Sequence, residues 1–520
     1  MHFQMTQALH RLKQQKPNEE AYHYRTRRRT WAEFADRSAR LGAALQALGM
    51  QPGDRVGMLA LNSDRYLEYM MGVWWGGGAL NPVNTRWSAA EIAYSLDDCD
   101  TRILLVDEHF APLANELRDR SKSLKTIIFA GDGIAPEGLP EYEQLLTQHQ
   151  PAEDVERKDD DLAGVFYTGG TTGFPKGVML SHTNLLSNAL AYLLDLDYRE
   201  DEVILAAAPI FHQAGMCILI RAFIRGCRST IINGFDTLSV LEAIQQEKVT
   251  FTLLVPTMIQ RLVDHPTIAE YDLSSLRRIL YGASPISDGL LERTFKALPK
   301  VEFLQGYGMT ETGGPYTVLP AFCHTPEGRN PDRLRSAGKP IWGMEIRIVD
   351  ADGNLLPNGQ IGEVIARGPG AMLGYWNRPE ETASTTRNGW IHSGDAGYLD
   401  DKGYLFLVDR VKDMIVSGGE NVYSCEVENA IGQHPAVASS AVIGIPSERW
   451  GEAVHAVIVL HPGQQLTAEE LRAHCKTLIA GYKCPVSVEF RDSLPVTGAG
   501  KIQKNELREP YWKNLSRRVG

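Results

Sequence analysis

Residues 167–177 read Tyr-Thr-Gly-Gly-Thr-Thr-Gly-Phe-Pro-Lys-Gly, a segment with four Gly, three Thr and one Lys. Glycine lets backbone N–H groups approach an anion closely, threonine hydroxyls add donors, and Lys176 adds a positive charge. This composition predicts a loop that binds phosphate groups, against the alternative of a flexible Gly/Thr turn without a ligand. It is not a Walker A loop, because Lys176 follows Pro175 and precedes Gly177. A short strand is predicted at 178–180, so the loop is expected to join two strands.

A series of further motifs follows in order along nearly the whole chain. Together with the loop at 167–177 they resemble the signature of the adenylate-forming superfamily, which comprises acyl-CoA synthetases, luciferases and the adenylation domains of non-ribosomal peptide synthetases. The overall resemblance is closest to bacterial fatty-acyl-CoA synthetases, and the motif at 417–423 supports this. The motifs are QGYGMTE at 305–311, GEV at 362–364, GYW at 374–376, WIHSGD at 390–395, DRVKD at 409–413, SGGENVY at 417–423 and PVTGAGKI at 495–502.

The resemblance implies a reaction in two steps. A carboxylate attacks the α-phosphate of Mg-ATP and gives an acyl-adenylate and pyrophosphate; the thiol of CoA then attacks the acyl carbon and releases AMP. The protein must hold two anions that repel each other and stabilise the extra charge at phosphorus. The expected ligands are therefore ATP, Mg²⁺, CoA and a small carboxylic acid.

The resemblance also implies where the nucleotide binds. Thr310 would donate to the α-phosphate, and Glu311 would hold Mg²⁺, which prefers oxygen ligands. Asp395 would accept hydrogen bonds from the ribose hydroxyls, and Arg410 would support the ribose. The residues implied for the β- and γ-phosphates are Thr168, Gly169, Gly170, Thr171, Thr172, Gly173 and Lys176. Tyr307, within the segment Gly306, Tyr307 and Gly308, would stack on one side of the adenine. The other side would be lined by Gly282, Ala283 and Ser284.

The small C-terminal part is expected to carry the residues that act on the acid and on CoA. Lys501 would bridge the substrate carboxylate and the α-phosphate during adenylation. Lys412 occupies the hinge position of the superfamily, so the small domain is expected to rotate there after the first step. That rotation would withdraw Lys501 and present four residues to the tunnel for the pantetheine arm of CoA, namely Ser417, Gly418, Gly419 and Glu420.

The segment 209–216 lies where the superfamily builds its acyl pocket, and it contains His212. Amino-acid-activating members carry an Asp at about this place to bind the ammonium group, so an amino acid is disfavoured as the substrate. His212 resembles the histidine of acyl- and aryl-CoA synthetases that flanks the carboxylate and the pantetheine exit. The alternative is a histidine packed in the core.

Composition limits the other possibilities. A chain of 520 residues is too long for one core, and its net charge of −11 gives no basic excess for binding nucleic acid. Sites for ATP and CoA must then be locally positive. The cations that could supply this charge are Lys176, Arg410, Lys412, Lys483, Lys501 and Lys504.

Seven scattered Cys without a zinc spacing indicate reduced thiols in a cytoplasmic protein, and the N-terminus lacks the apolar core of a signal peptide. The segment 203–220 is free of charged residues but contains Pro209, so a strand, a loop and a helix are favoured over a membrane span. The arginines in 25–29 could contact an anionic membrane surface, although a solvated segment before a helix is favoured.

Helices and strands alternate over the first part of the chain, which indicates layered α/β architecture. Buried runs at 56–61, 102–106 and 126–130 predict strands, and those at 102–106 and 126–130 are expected to be parallel. From about residue 338 short strands between turns predict a small β-rich subdomain. We expect an N-terminal domain at 1–410, which binds ATP and the acyl group, and a mobile α+β domain at 411–520.

Several functions remain open. The main hypothesis is an acyl-CoA synthetase, with a fatty acid as the favoured substrate. The alternatives are a ligase for an aryl or short-chain acid, a stand-alone adenylation enzyme that loads a carrier protein, an inactive nucleotide-binding scaffold and a luciferase-like oxidation. Homodimers are common in the superfamily, which leaves a homodimer open here.

Overall fold

The computed structural model describes residues 2–168, 175–196, 198–284, 286–410, 413–418, 420–498 and 501–513. The helices are α1 Gln7–Gln15, α2 Trp31–Ala47, α3 Asp64–Trp75, α4 Ala89–Asp98, α5 Ala114–Arg120, α6 Tyr142–Gln148, α7 His182–Leu196, α8 Gln213–Arg225, α9 Thr237–Glu247, α10 Pro256–Val263, α11 Asp288–Ala297, α12 Pro331–Leu334, α13 Pro379–Thr385, α14 Ser424–Gly432, α15 Ala468–Leu478 and α16 Lys504–Trp512.

The strands are β1 Glu20–Tyr24, β2 Arg27–Thr30, β3 Arg55–Leu59, β4 Ala79–Pro82, β5 Ile103–Val106, β6 Thr126–Phe129, β7 Leu162–Thr168, β8 Lys176–Ser181, β9 Val203–Ala206, β10 Arg228–Ile231, β11 Phe251–Leu254, β12 Arg278–Gly282, β13 Glu302–Met309, β14 Gly314–Leu319, β15 Lys339–Pro340, β16 Glu345–Val349, β17 Gly362–Arg367, β18 Gly374–Tyr375, β19 Thr386–Arg387, β20 Trp390–Leu399, β21 Leu405–Arg410, β22 Ile415–Ser417, β23 Glu420–Val422, β24 Val437–Ser447, β25 Gly451–Leu460 and β26 Ser487–Phe490.

Two large sheets form the N-terminal part. One has nine strands in the order β15-β14-β13-β12-β11-β9-β10-β1-β2, and the other has seven in the order β18-β8-β7-β4-β3-β5-β6. Strands β3, β5 and β6 pair in parallel, which confirms the strand predicted at 56–61 and the parallel orientation predicted for the other two runs. Every residue of α3 is buried, the pattern of a helix covered on all sides.

Helix α2 starts at a capping box formed by Thr30 and Glu33. The Thr30 side chain accepts from the Glu33 N–H, and the Glu33 carboxylate accepts from the Thr30 N–H, which is a capping box. The arginines in 25–29 lie directly before α2 and are exposed or half-buried, as predicted, and the structure adds that they belong to the β1–β2 hairpin. Arg27 pairs with Asp64 and Asp132, carboxylates that are distant in the sequence.

Two smaller sheets follow. The sheet order β16-β17-β20-β19, with β21 beside β20, is the predicted β-rich subdomain. The C-terminal sheet has the order β23-β22-β25-β24, with β26 beside β25, and helices α14 and α15 give this domain the predicted α+β composition. The chain thus forms a large α/β N-terminal domain with a β-rich subdomain and a small α+β C-terminal domain. Among the described residues no helix is long and apolar enough to cross a membrane.

Candidate active site

Strands β7 and β8 pair antiparallel and place Thr168 opposite Lys176, so the Gly/Thr loop joins two strands as predicted. Five of the predicted phosphate-binding residues lie outside the described residues, namely Gly169, Gly170, Thr171, Thr172 and Gly173. The Lys176 Nζ lies 5.3 Å from the centre of the Tyr375 ring. The Tyr375 hydroxyl donates to Glu311 Oε1 at 2.8 Å, which joins the end of this loop to the predicted metal ligand.

Thr310 and Glu311 lie in one turn of 3-10 helix that follows β13, and each is 8% exposed. The turn is held by backbone: the Glu311 carbonyl accepts from the Met372 N–H at 2.9 Å, and Gly313 ends it with φ +69°. In the described ranges no three His, Cys, Asp or Glu side chains are grouped to hold a metal alone. A lone buried carboxylate suits Mg²⁺, which takes its remaining ligands from water and substrate phosphates.

The predicted adenine segments are neighbours, because β12 and β13 pair in parallel with Gly282 opposite Gly306. A Cβ at Gly282 would lie 2.0 Å from the Gly306 carbonyl oxygen, so only glycine fits there. Ala283 adopts φ +66°, a left-handed conformation that is strained for a residue with a Cβ. Ser284 follows it, and Gly308 packs against the backbone of Pro315.

Tyr307 and Asp395 are in direct contact, since the Tyr307 hydroxyl donates to Asp395 Oδ2 at 2.6 Å. Burial and then the Asp395 charge raise the pKa of Tyr307, so the phenol remains protonated and is a permanent donor. The backbone of Asp395 lies opposite that of Arg410 on the antiparallel strands β20 and β21; the Arg410 side chain lies outside the described atoms.

The loop that carries Lys501 is docked on the N-terminal domain. Arg86 Nη1 donates to the Thr497 carbonyl at 2.7 Å. A Cβ at Gly498 would lie 3.0 Å from Asn84 Oδ1 and 3.1 Å from Phe211 Cζ. Within the loop the Thr497 N–H donates to the Lys501 carbonyl at 2.7 Å, and the Lys501 N–H donates to Thr497 Oγ1 at 3.1 Å.

This docking brings Lys501 close to His212, the N-cap of α8. Burial, and then the Lys501 charge, lowers the pKa of His212 to about 4, so the imidazole is neutral at pH 7. Its Nδ1 is buried and contacts no hydrogen-bond partner in the part of the chain that the structure describes. The pair therefore presents a cation and an unused polar atom at the predicted acyl pocket.

The SGGE segment lies in the C-terminal sheet. Ser417 and Glu420 pair across β22 and β23, and the Gly418 N–H donates to the Trp450 carbonyl at 2.8 Å. Gly419 and Lys412 lie outside the described residues.

Two of the predicted cations are not available for an anionic ligand. Lys483 Nζ contacts Glu426 at 2.7 Å, and Lys504 Nζ contacts Glu428 at 2.8 Å, in both cases inside the C-terminal domain. Their charges are neutralised locally, which corrects the prediction that they supply a positive field to the ATP and CoA sites.

Comparison with known proteins decides the family. A family described as AMP-binding enzyme matches residues 9–376, and its C-terminal domain matches residues 426–501. The chain belongs to the AMP-binding enzyme family.

Relatives of this AMP-binding enzyme cover nearly all of its length. It is 38% identical to a fatty acid–[acyl-carrier-protein] ligase, ScoC, of Streptomyces coeruleorubidus, over 94% of this chain and 93% of the relative. It is 40% identical to a feruloyl-CoA synthase of an Amycolatopsis species, over 93% of this chain and 94% of the relative. Among solved structures, the anthranilate CoA ligase AuaEII in complex with anthranoyl-AMP superposes with a TM-score of 0.92. It is 29% identical to this chain, and the match covers 98% of this chain and 97% of that one. The enzyme is an AMP-forming acid–CoA ligase by class, and the adenylate-forming resemblance of its motifs is confirmed.

The AMP-binding enzyme also has site residues that the sequence did not indicate. Tyr375 belongs to a recognised motif, but nothing in that motif showed that it would hold Glu311. Asn84 and Arg86 receive the Lys501 loop without any local signal of their own, since 411 positions separate Arg86 from Thr497.

Proposed function

We propose that this enzyme activates a carboxylic acid with an apolar body to its acyl-adenylate and then forms the CoA thioester. Fatty and aryl acids are the candidate substrates, because relatives named for both classes have similar identity to this chain. The observation that carries the proposal is the docking of the Lys501 loop beside His212, at the start of α8.

In the first step Lys501 would bridge the acid carboxylate and the α-phosphate, where it reduces their repulsion and stabilises the charge that develops at phosphorus. Thr310 would donate to the same phosphate. His212 is neutral, so it adds no second cation, and its free Nδ1 can accept a hydrogen bond or donate one, depending on the tautomer. Thr168 and Lys176 would contact the terminal phosphates.

Mg²⁺ would be held by Glu311, whose carboxylate is oriented by the Tyr375 hydroxyl. The ion would neutralise charge on the ATP phosphates. Asp395 is preorganised for the ribose by Tyr307, and Gly282, Ala283 and Ser284 would line the adenine.

For the second step the C-terminal domain would rotate at Lys412, beside Arg410. This withdraws Lys501 and brings Ser417, Gly418 and Glu420 to the pantetheine arm of CoA. The proposed boundary at 410/411 is supported by the two sheets, since β21 ends at Arg410 and β22 begins at Ile415.

The test is pyrophosphate release with Mg-ATP across a panel of acids, from acetate through long-chain fatty acids to cinnamates, with and without CoA. We expect CoA-dependent turnover on one class of acid. Failure to release pyrophosphate with any acid would contradict the proposal.

A carrier-loading enzyme is the second candidate, favoured by the similarity to a fatty acid–[acyl-carrier-protein] ligase. The same panel separates the two when a phosphopantetheinyl carrier protein is added in place of CoA. If a thioester forms on the carrier protein, while CoA supports only a pyrophosphate burst without turnover, the acceptor is the carrier protein and not CoA.

A further inference from the structure

Two side chains of the N-terminal domain donate to backbone carbonyls of the C-terminal domain. Arg86 Nη1 reaches the Thr497 carbonyl at 2.7 Å, in the loop that carries Lys501. Gln260, a half-buried residue on α10, donates from Nε2 to the Ala438 carbonyl at 3.1 Å, near the start of β24. The two contacts lie on different elements of the C-terminal domain, so together they restrict its orientation.

A third contact lies beside the domain boundary. Helix α14 begins after Tyr423, whose side chain makes no capping hydrogen bond, and the Ser424 N–H donates instead to Asp409 Oδ2 at 2.5 Å. Asp409 is 6% exposed and belongs to β21, which pairs with β20 of the β-rich subdomain. A carboxylate at a helix N-terminus satisfies an N–H that has no partner within the helix, and the helix dipole favours it. The N-terminal domain therefore supplies the cap for a helix of the C-terminal domain.

The Asp409 contact is connected to the Lys501 loop. Lys504, the first residue of α16, donates from Nζ to Ser424 Oγ at 2.6 Å and pairs with Glu428 on α14 at 2.8 Å. Only two residues separate Lys501 from Lys504 along the chain. The residue that Asp409 binds is thus tied to the end of the Lys501 loop, so the cap on α14 and the position of Lys501 depend on each other.

Part of the interface between the domains is a polar cavity. It has a volume of about 410 Å³ and lies between α11 and the end of α14. At its edge a Cβ on Gly289 would still be 3.6 Å from the Gly432 carbonyl oxygen, an ordinary contact distance. A polar cavity of this size has room for water, so this part of the interface supplies little apolar burial and leaves more of the docking to hydrogen bonds. The side chains that line it include those of Asp288, Glu292, Arg293, His434 and His461.

We propose that Gln260 and Asp409 are positioning residues, which hold the C-terminal domain in the orientation that places Lys501 at the reacting carboxylate. This inference rests on the proposed function. Rotation at Lys412 would separate both side chains from their backbone partners, because both residues precede the hinge and stay with the N-terminal domain. The two contacts would therefore exist during adenylation only, and their loss would favour the second step.

The contacts act on an equilibrium between two domain orientations and not on the reacting atoms. The rate of adenylation is proportional to the fraction of the enzyme that has the adenylation orientation, so the loss of a contact lowers that rate. A neutral hydrogen bond changes such an equilibrium by about fivefold, and a hydrogen bond to a charged group changes it by about tenfold or more.

The test measures the two half-reactions in Gln260→Ala and Asp409→Asn, with the acid that the wild type activates best. Acid-dependent exchange between ATP and pyrophosphate reports the first, and thioester formation from preformed acyl-adenylate reports the second. We expect kcat/KM for exchange to fall about fivefold in Gln260→Ala and about tenfold in Asp409→Asn, since Asn keeps an acceptor but loses the charge. Thioester formation should proceed at the wild-type rate or faster in both variants.

The matched control for Gln260→Ala is Gln46→Ala. Gln46 is also half-buried and donates from Nε2 to a backbone carbonyl at 3.1 Å, but its partner, Gly76, belongs to the same domain. The control for Asp409→Asn is Thr467→Ala, which removes the capping box of α15 inside the C-terminal domain. Both controls should leave both half-reactions unchanged. If Asp409→Asn does not fold, Gln260→Ala decides alone.

Two results would overturn the inference. One is exchange that Gln260→Ala leaves at the wild-type rate; the other is an equal loss of both half-reactions, which would indicate a general loss of stability and not a shift in orientation. Absence of exchange with every acid would overturn the proposed function as well, and that result is distinct because the wild type would also fail.

Discussion

At the scale of single residues, the contact between Tyr375 and Glu311 links two motifs that are 64 positions apart. A hydrogen bond to a charged group contributes about 1.5–3 kcal/mol. Tyr375→Phe should therefore raise the KM for Mg-ATP about tenfold, with a smaller effect on the KM for the acid. Initial rates at several Mg²⁺ concentrations measure this. Tyr482→Phe, at a tyrosine that is 50% exposed, is the control, and an unchanged KM for Mg-ATP would show that the phenol does not orient Glu311.

Buried histidines make the stability of the protein depend on pH. Burial lowers the pKa values of His182, His212 and His324 to about 4, while in the unfolded chain they are near 6.5. The unfolded state therefore binds more protons between pH 6.5 and 4, so stability is present above pH 6.5 and is lost as the pH falls through that range.

The loss per histidine is about 2 kcal/mol between pH 7 and pH 5. His182→Gln should reduce the difference between the free energies of unfolding at these two pH values by about that amount, as measured by urea denaturation. The exposed His109→Gln is the control. If His182→Gln and His109→Gln gave the same difference as the wild type, the lowered pKa of His182 would be refuted.

The sequence indicated Lys501, Glu311 and Asp395 because each lies in a dense local motif. It did not indicate Tyr375 as the partner of Glu311, or Asn84 and Arg86 as the residues that receive the Lys501 loop. Those are properties of side chains that meet only after the strands and helices have packed, and no local pattern encodes them.

At the scale of elements, the close approach of β12 and β13 depends on Gly282. An added Cβ would meet the Gly306 carbonyl oxygen at 2.0 Å, which the two hydrogen-bonded strands cannot relieve without separating. Gly282→Ala should destabilise the protein by about 3 kcal/mol and weaken ATP binding. Thermal unfolding and nucleotide titration measure these effects.

The adjacent Ala283→Gly is the matched control. It removes the strain of the left-handed φ of +66°, a gain that offsets the greater flexibility of glycine in the unfolded chain. It should therefore leave stability within about 1 kcal/mol of the wild type. Equal losses in both variants would mean that the close approach is not what requires Gly282.

Local signals predicted most elements well. The capping box at Thr30 and the buried runs of β3, β5 and β6 were recognisable because each is encoded within a few residues. The β1–β2 hairpin was not predicted. Its Arg27 is held by Asp64 and Asp132, and such long-range ion pairs leave no mark on the local sequence.

At the scale of the whole molecule, an acidic protein must bind acidic ligands. The net charge is −11, and Lys483 and Lys504 are neutralised within the C-terminal domain. Among the predicted cations whose side chains the structure describes, Lys176 and Lys501 then remain to provide local charge, each from a different domain. The order of the motifs along the chain predicted which domain comes first. The hydrogen bond from Arg86 to the Thr497 carbonyl is a contact between the domains, which only the folded chain shows.

The most direct test of this account separates the two half-reactions in Lys501→Ala. The variant should lose about 10²–10³ in the rate of acid-dependent exchange between ATP and pyrophosphate, because a preorganised charge at the reacting phosphate is removed. It should form the CoA thioester from preformed acyl-adenylate at the wild-type rate. The control is Lys476→Ala, at an exposed lysine of the same domain, which should keep the wild-type rate in both assays. Equal loss of both half-reactions in Lys501→Ala would contradict the account.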